Sequence, residues 1–227
     1  IDFAEGFDFN AFEAYVKTFG KGARLRQKRK AVRAGFYCKP FAWKLHIPDV
    51  HEINHSKEMR SGGAMRGSYL RSVEEMGGAP RCNFPVVFPM CNLHWSLTFG
   101  TFIEVEGYTQ GTETTGEKLI AYISLRRIGD VVLYSQIMGH GDHLDDGALI
   151  LLHHEVVKWL DEHREDYAKD LKYIMYGGAQ NGGQSLFQWK RQAGFLPRQL
   201  VGLTTANKLE EWYESIYSIR TSETPVG

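Results

Sequence analysis

Cysteine is scarce in this chain of 227 residues, which carries only Cys38, Cys82 and Cys91. An odd, sparse set of thiols argues against a disulfide framework and fits a reducing compartment, so we expect a cytoplasmic protein. No run of eighteen apolar residues occurs, so neither a transmembrane helix nor a membrane partner is expected. The opening residues show neither the basic nor the apolar region of a signal peptide, and none is predicted.

Acidic residues are absent between Glu13 and Asp49, although the net charge of the whole chain is zero. That stretch holds ten basic residues: Lys17, Lys21, Arg24, Arg26, Lys28, Arg29, Lys30, Arg33, Lys39 and Lys44. One interpretation is a solvated face or a flexible arm. The other is a surface for polyanions, such as nucleic acid, tRNA or the phosphates of a nucleotide cofactor.

The N-terminal part of the chain gives few strong patterns. Apolar residues at helical spacing predict an amphipathic helix over residues 9–19, which Gly20 and Gly22 end. Mixed aromatic and basic residues over 31–47 indicate a strand or two. Residues 51–75 are interpreted as a helix–loop–helix, followed by a proline-punctuated loop.

From residue 93 the pattern changes to β-branched and aromatic runs. Strands are predicted over residues 93–106, 118–126 and 130–138, joined by turns, as an antiparallel meander. A polar loop over 139–147 leads into a long amphipathic helix over 148–163, with Asp145 and Asp146 at N-cap positions. A strand (171–176), a helix (185–192) ended by Gly194, a strand (198–203) and a helix (207–219) follow.

Two motifs carry a resemblance to a known family. Gln136-Ile137-Met138-Gly139-His140-Gly141 fits the pattern Gln/Arg-x-x-Gly-x-Gly/Ala, and the helix over 185–192 ends in Gly194-Phe195. Together with the order of elements, these motifs resemble the GNAT superfamily of N-acyltransferases over residues 93–205. The resemblance implies an α+β fold, with a mixed, mostly antiparallel sheet flanked by helices in a single domain. Residues 1–92 would form an acceptor-side extension, and residues 206–227 a C-terminal helix and tail.

The resemblance also implies an acyl-CoA donor. Backbone N–H groups of a glycine-rich loop at a helix N-terminus suit a pyrophosphate. The implied donor contacts are Ile137, Met138, Gly139, Gly141, Gly147, Ala148 and Asn181. Lys190 stands where the family carries the tyrosine that protonates the leaving thiolate, so Tyr134 and Tyr176 become the alternative acids.

The densest ionisable cluster is His140-Gly141-Asp142-His143, directly after a predicted strand. His140 suits a general base for an amine acceptor, and Asp142 could orient it, so both are candidate catalytic residues. A metal site of His140, Asp142 and His143 is an alternative, although no metal is favoured. Simple capping and turn roles are the third interpretation.

Residues 54–69 are polar, rich in glycine and bear arginine, unlike a core segment. They are interpreted as an acceptor-binding loop or as an exposed connection. Its candidate substrate contacts are Ser56, Arg60, Arg66 and Tyr69, because arginine binds carboxylate or phosphate in a bidentate manner. Glu104 lies on a predicted strand and is a further candidate for substrate binding.

The leading functional hypothesis is an acyltransferase that moves an acyl group from a CoA-thioester-type donor to a small amine. A second is a transferase of the same fold that uses aminoacyl-tRNA or modifies a nucleic-acid base, with the stretch Lys17–Lys44 as the cradle. A metal-dependent enzyme and a non-enzymatic binding module on the same fold are further alternatives.

Overall fold

The computed structural model describes residues 1–4, 6–60, 63–179 and 182–198, and all structural statements concern these residues. Within them the α-helices are α1 (Phe9–Thr18), α2 (Ala23–Arg33), α3 (Ile47–His55), α4 (Ala148–Glu162) and α5 (Gln184–Gln192). The strands are β1 (Tyr37–Pro40), β2 (Met59–Arg60), β3 (Gly63–Ala64), β4 (His94–Glu104), β5 (Thr109–Gln110), β6 (Glu113–Thr114), β7 (Glu117–Ile128), β8 (Val131–Gly139) and β9 (Tyr173–Met175).

The central sheet has the strand order β1-β4-β7-β8-β9. Its first four strands are antiparallel, and β9 pairs with β8 in parallel. The long meander of β4, β7 and β8 is the one predicted from runs of β-branched and aromatic residues. The predicted fold class, a mixed and mostly antiparallel sheet flanked by helices, is confirmed.

Helices cover the two faces of the sheet unequally. On one face α4 packs on β4, β7 and β8, while α1 and α2 pack on α4 and enclose the larger core. On the other face α3 packs on β7 and β8, around Phe102, Leu119 and Tyr122. Residues Ile1–Phe195 form one compact unit; Leu196–Gly227 are grouped as a second, of which only the first three residues are described.

Helix α1 follows the prediction closely. Asp8 caps it, because its carboxylate accepts hydrogen bonds from the N–H groups of Asn10 and Ala11 at 3.1 and 3.2 Å. The predicted cap of α4 is wrong. Its N-cap is Gly147 with a φ of 87°, and Asp146 instead forms an ion pair with Lys30 at 2.8 Å.

Two further predictions needed correction, and a third group could not be compared with the structure. Residues 23–33 form a regular helix, not an exposed arm, and its small buried face is held against α4. Residues 51–75 contain the end of α3, the β2–β3 hairpin and a 3-10 turn (Gly67–Tyr69), so the second predicted helix is absent from the described part of this segment. The predicted strand at 198–203, the helix at 207–219 and Asn181 lie outside the described residues, apart from Arg198.

In the described part of the chain, no helix has both the length and the apolar character needed to span a membrane.

Candidate functional site

The parallel pairing of β8 with the short strand β9 covers only the first part of β8. Their parallel pairing runs from Val131 opposite Tyr173 to Leu133 opposite Met175 and stops there, although β8 continues to Gly139. A β-bulge begins at the same level, because β7 pairs with Tyr134 and then with Gln136. A bulge bends and twists a strand. The far half of β8 therefore has no described strand partner on that side. The point where the pairing stops is called the split here, and the far half of β8 and the segment that follows β9 are its two arms.

The hydrogen bonds of β8 show which of its backbone N–H and C=O groups point away from β7, toward the unpaired side, which is the open edge of β8. The N–H of His140 bonds to the carbonyl of Ile120 on β7 at 2.8 Å. Backbone groups of successive strand residues point to opposite sides, so those of Gly139 and Ile137 point away from β7. The side chain of Met138 packs with the smaller core beside α3. Two of the predicted donor contacts, Ile137 and Gly139, therefore lie on the open edge.

Arg60 closes the end of this edge. Its guanidinium donates to the carbonyl of Gly139 at 2.8 Å, to the carbonyl of Ile53 at 2.6 Å and to Ser56 Oγ at 3.3 Å. Ser56 Oγ also accepts the N–H of Gly141 at 2.9 Å. The loop predicted to bind an acceptor is thus fastened to the end of β8, with two of its candidate residues making the attachment.

His140 lies beside this attachment and faces a carboxylate that the sequence pattern did not reveal. Its Nε2 is 3.3 Å from Glu52 Oε1, and Lys118 Nζ is 2.7 Å from the same oxygen. Nδ1 of His140 accepts the N–H of Asp142 at 3.3 Å, so the proton of the neutral imidazole lies on Nε2 and points at Glu52. Glu52 is about half exposed and His140 is 14 % exposed, so substrate can reach the pair from solvent.

The other members of the histidine cluster play smaller parts. The carboxylate of Asp142 is 87 % exposed and lies 3.8 Å from His140 Nδ1. His143 packs edge-on against Phe36, and burial, followed by the nearby His140, lowers its pKa. Among the described residues no group of three or more His, Cys, Asp or Glu side chains converges as a metal site, so the arrangement does not support the metal alternative at His140, Asp142 and His143.

Neither alternative tyrosine acid is a ready proton donor. Tyr134 is 3 % exposed and burial raises its pKa well above the ordinary value. Its hydroxyl is 3.0 Å from Nδ1 of His153, whose Nε2 donates to the carbonyl of Ala193 at 2.7 Å. Nδ1 of His153 is therefore an acceptor, and the tyrosine proton is already engaged. Burial lowers the pKa of His153 to about 3, which keeps this chain of hydrogen bonds neutral.

Tyr176 begins the second arm of the split, immediately after β9. Burial, and then the nearby hydroxyl of Tyr69, raises its pKa to about 12. The ammonium of Lys190 lies 4.8 Å from the centre of the Tyr176 ring and donates to the carbonyl of Gly178 at 2.9 Å. Burial lowers the pKa of Lys190, so this ammonium is a better proton donor than an exposed lysine.

The glycine-rich loop contacts protein where a pyrophosphate was expected. A Cβ on Gly139 would meet Leu144 and Leu149 at 2.8 and 2.9 Å, and one on Gly141 would meet Ser56 O at 3.0 Å. A Cβ on Gly147 would lie 2.3 Å from the carbonyl oxygen of Gln27 on α2. Gly147 and Ala148 are both buried, so the N-terminus of α4 does not face solvent as that role requires.

The remaining candidate substrate contacts are spread out. Tyr69 lies close enough to Tyr122 and Tyr176 to raise the pKa of both, which places it near the split between the arms. Arg66 is exposed just before the 3-10 turn that holds Tyr69. Glu104 is exposed at the end of β4, two strands from β8.

Tertiary contacts neutralise part of the basic stretch. Lys28 is 2.8 Å from Glu13 and 3.7 Å from Glu155, Lys30 is 2.8 Å from Asp146, and Lys39 is 2.7 Å from Glu117. Three of the ten basic side chains therefore meet acids from other parts of the chain. A continuous cradle for tRNA or DNA gains no support from this arrangement.

Comparison with known proteins adds one similarity. No protein-family model and no curated protein sequence matches the chain. Among solved structures it is similar to a tandem GNAT protein from the clavulanic acid biosynthesis pathway, determined without AcCoA. The two chains are 17 % identical with a TM-score of 0.41, over 72 % of this chain and 43 % of that one. That protein belongs to the superfamily that the sequence resembles. Because this chain spans less than half of its length, and the identity is low, nothing on activity follows from the match.

Proposed function

We propose that this chain is an N-acyltransferase that moves an acyl group from a thioester-type donor to an amine. The observation that carries the proposal is the split between β8 and β9, with a carboxylate–histidine pair at its end. On the unpaired side of β8, the backbone N–H of the partly buried Ile137 would bind a carbonyl oxygen that becomes negatively charged as it is attacked. Acyl-CoA is the donor that the sequence resemblance implies.

In this mechanism the amine attacks the thioester carbonyl directly. The new C–N bond forms as the C–S bond breaks, and the proton of the amine passes to the Glu52 carboxylate. Lys118 and Nε2 of His140 keep the Glu52 carboxylate in place. The leaving thiolate takes a proton from Lys190 of α5, whose ammonium lies against the Tyr176 ring. This lysine takes the place of the tyrosine that the family resemblance leads one to expect.

Two substitutions test the proton acceptor. Glu52→Gln and His140→Asn are each expected to lower kcat/KM by about a hundredfold or more, because they remove a general base and its partner. Release of free thiol from acetyl-CoA and longer acyl-CoAs, with a panel of amines, measures the rate. Glu162→Gln, at the exposed end of α4, is the matched control and should leave the rate unchanged.

Three results would count against the proposal. Failure of every acyl-CoA to bind calorimetrically or to react would remove CoA as the donor. Equal rates in wild type, Glu52→Gln and His140→Asn would show that the pair is not the base. If the wild type and both variants all lack measurable transfer activity, the binding-module alternative is favoured.

A second candidate is a transferase of the same fold with a different donor. It is favoured by the burial of Gly147 and Ala148 under α2, which leaves no exposed pyrophosphate site at the N-terminus of α4. An aminoacyl ester needs no such site. Transfer of a labelled amino acid from charged tRNA to an amine or peptide tests this candidate, and a rate independent of the tRNA would reject it.

A further inference from the structure

A pocket of about 460 Å³ lies on α2. It is lined by Ala23, Arg24, Arg26, Gln27, Lys30 and Gln192. The lining contains three cations, two amides and no carboxylate. Its volume is in the range of pockets that hold small ligands.

The position of this pocket relates it to the site described above. Gln27 packs its backbone carbonyl against Gly147, and Lys30 donates to the carbonyl of Asp145 at 3.3 Å, both at the first turn of α4. Gln192 is the last residue of α5. The pocket therefore lies between α2 and the end of α5, and two of its lining residues also contact the loop that leads into α4.

The charges of the pocket are incompletely balanced. Arg24 is half-buried and donates to Gln27 Oε1 at 2.8 Å, but its buried Nε has no hydrogen-bond partner among the described residues. Burial lowers the pKa of Arg24, and no acid offsets this effect. A cation withdrawn from water without a counter-charge is unfavourable. An anion in the pocket would supply that counter-charge.

The N-terminal end of α2 adds to the positive charge at the pocket. The N-terminal end of a helix carries partial positive charge and favours acidic side chains. The first turn of α2 has no acid, and its N-cap is Gly22, without a side-chain cap. Arg24 and Arg26 are placed there instead, and the guanidinium of Arg26 is held by the carbonyl of Lys21. This concentration of positive charge costs stability unless an anion relieves it.

We propose that this pocket binds the phosphate groups of a soluble, nucleotide-type ligand. The inference rests on the proposed function in one respect, since it identifies that ligand as the phosphate-bearing end of the acyl donor. Arg24 and Arg26 bind the phosphate oxygens, while Gln27 and Gln192 are the neutral donors on either side.

Calorimetric titration of the full chain with inorganic pyrophosphate and with CoA tests the pocket. Arg24→Gln and Arg26→Gln are each expected to weaken both ligands about tenfold or more, because each removes a charge-assisted hydrogen bond. Arg29→Gln is the matched control, since Arg29 is exposed on the same helix and does not line the pocket. It should change the affinity by less than about twofold. Thermal unfolding checks that the Arg24→Gln variant is folded, since Arg24 is half-buried. If that variant does not fold, Arg26→Gln gives the same test, because Arg26 is exposed.

The outcomes separate this inference from the proposed function. If Arg29→Gln weakens binding as much as Arg26→Gln, or if pyrophosphate and CoA do not bind the wild type, the pocket is not a phosphate site. If acyl-CoA is turned over and neither pocket variant raises its KM, the inference fails while the function stands. If the wild type binds pyrophosphate, both variants lose that binding, and the chain transfers no acyl group, the proposed function is rejected while the phosphate site is supported. Steeply salt-dependent binding of a DNA duplex without binding of pyrophosphate would overturn the inference in favour of a nucleic-acid surface.

Discussion

At the residue scale, one carboxylate joins three helices. Glu13 on α1 accepts a hydrogen bond from His154 Nδ1 on α4 at 3.0 Å and pairs with Lys28 on α2 at 2.8 Å. The hydrogen bond from His154, and then Lys28, lower the pKa of Glu13 to about 2, although partial burial opposes them. Burial lowers the pKa of His154, which stays neutral at pH 7. The α1–α2 pair is thus held on α4 by an ionised Glu13.

This carboxylate should make stability depend on pH. The folded pKa of about 2 lies below the ordinary value of 4.5, so ionised Glu13 stabilises the fold above pH 4.5. That contribution is lost as the pH falls from 4.5 towards 2. Because Glu13 is partly exposed, we expect Glu13→Gln to lower the free energy of unfolding by only about 1 kcal/mol at pH 7.

Urea unfolding of wild type and Glu13→Gln at pH 7, 4 and 2.5 measures this effect. The difference between the two proteins should shrink at each step and approach zero near pH 2. Glu162→Gln removes an exposed carboxylate at the end of α4 and should show no such trend. A difference that stays constant with pH would mean that the hydrogen bond, not the charge, holds the helices.

At the element scale, the contact between α2 and the first turn of α4 decides what the site can bind. Gly147 has a φ of 87°, and its Cα lies directly under the Gln27 backbone. The pairing of Lys30 with Asp146 fixes the same contact. If the phosphate proposal holds, an anion would meet the arginines of α2 and not the N-terminus of α4.

Gly147→Ala is expected to destabilise the protein by about 2–4 kcal/mol, because strain at positive φ adds to a clash with backbone. Gly129 is the matched control: its φ is 60° and a Cβ there meets nothing within 4 Å. Gly129→Ala should cost only the strain, about 1–2 kcal/mol. Equal losses in the two variants, measured by thermal and urea unfolding, would show that α2 does not press on Gly147.

At the scale of the whole molecule, the first residues complete the sheet. Ile1 donates its amino group to the carbonyl of Ile174 at 2.7 Å, and the N–H of Phe3 bonds to the carbonyl of Lys172 at 2.7 Å. The side chain of Phe3 is fully buried, and the guanidinium of Arg164 lies 4.2 Å from its ring centre. The N-terminal segment therefore lies along β9, the shortest strand of the central sheet.

Phe3→Ala should lower the free energy of unfolding by about 3–5 kcal/mol, as for other large-to-small changes in a core. Phe88→Ala is the control, because that ring is 44 % exposed, and its loss should cost about 1 kcal/mol or less. Urea unfolding of the two variants gives the comparison. Similar small losses in both would show that the N-terminal segment contributes little to holding β9.

The sequence alone determined the elements whose pattern is local. Runs of β-branched and aromatic residues predicted β4, β7 and β8, and helical spacing of apolar residues predicted α1 and α4, because these patterns follow from the geometry of the backbone. The position of His140 after β8 followed from the same meander. The polar helix α2 escaped prediction because its small buried face gives almost no apolar period.

Only the tertiary structure decided which groups meet. Glu52 on α3 contacts His140 after β8, and Ser56 Oγ accepts a hydrogen bond from the N–H of Gly141. Nothing in the local sequence pattern of either segment predicts these contacts. The glycine motif matched a phosphate loop by letter, yet the neighbours of its two glycines are Leu144, Leu149 and Ser56. A periodic pattern reports the conformation of the backbone. Whether an N–H group or a charge stays free for a ligand depends on which distant residues pack against it.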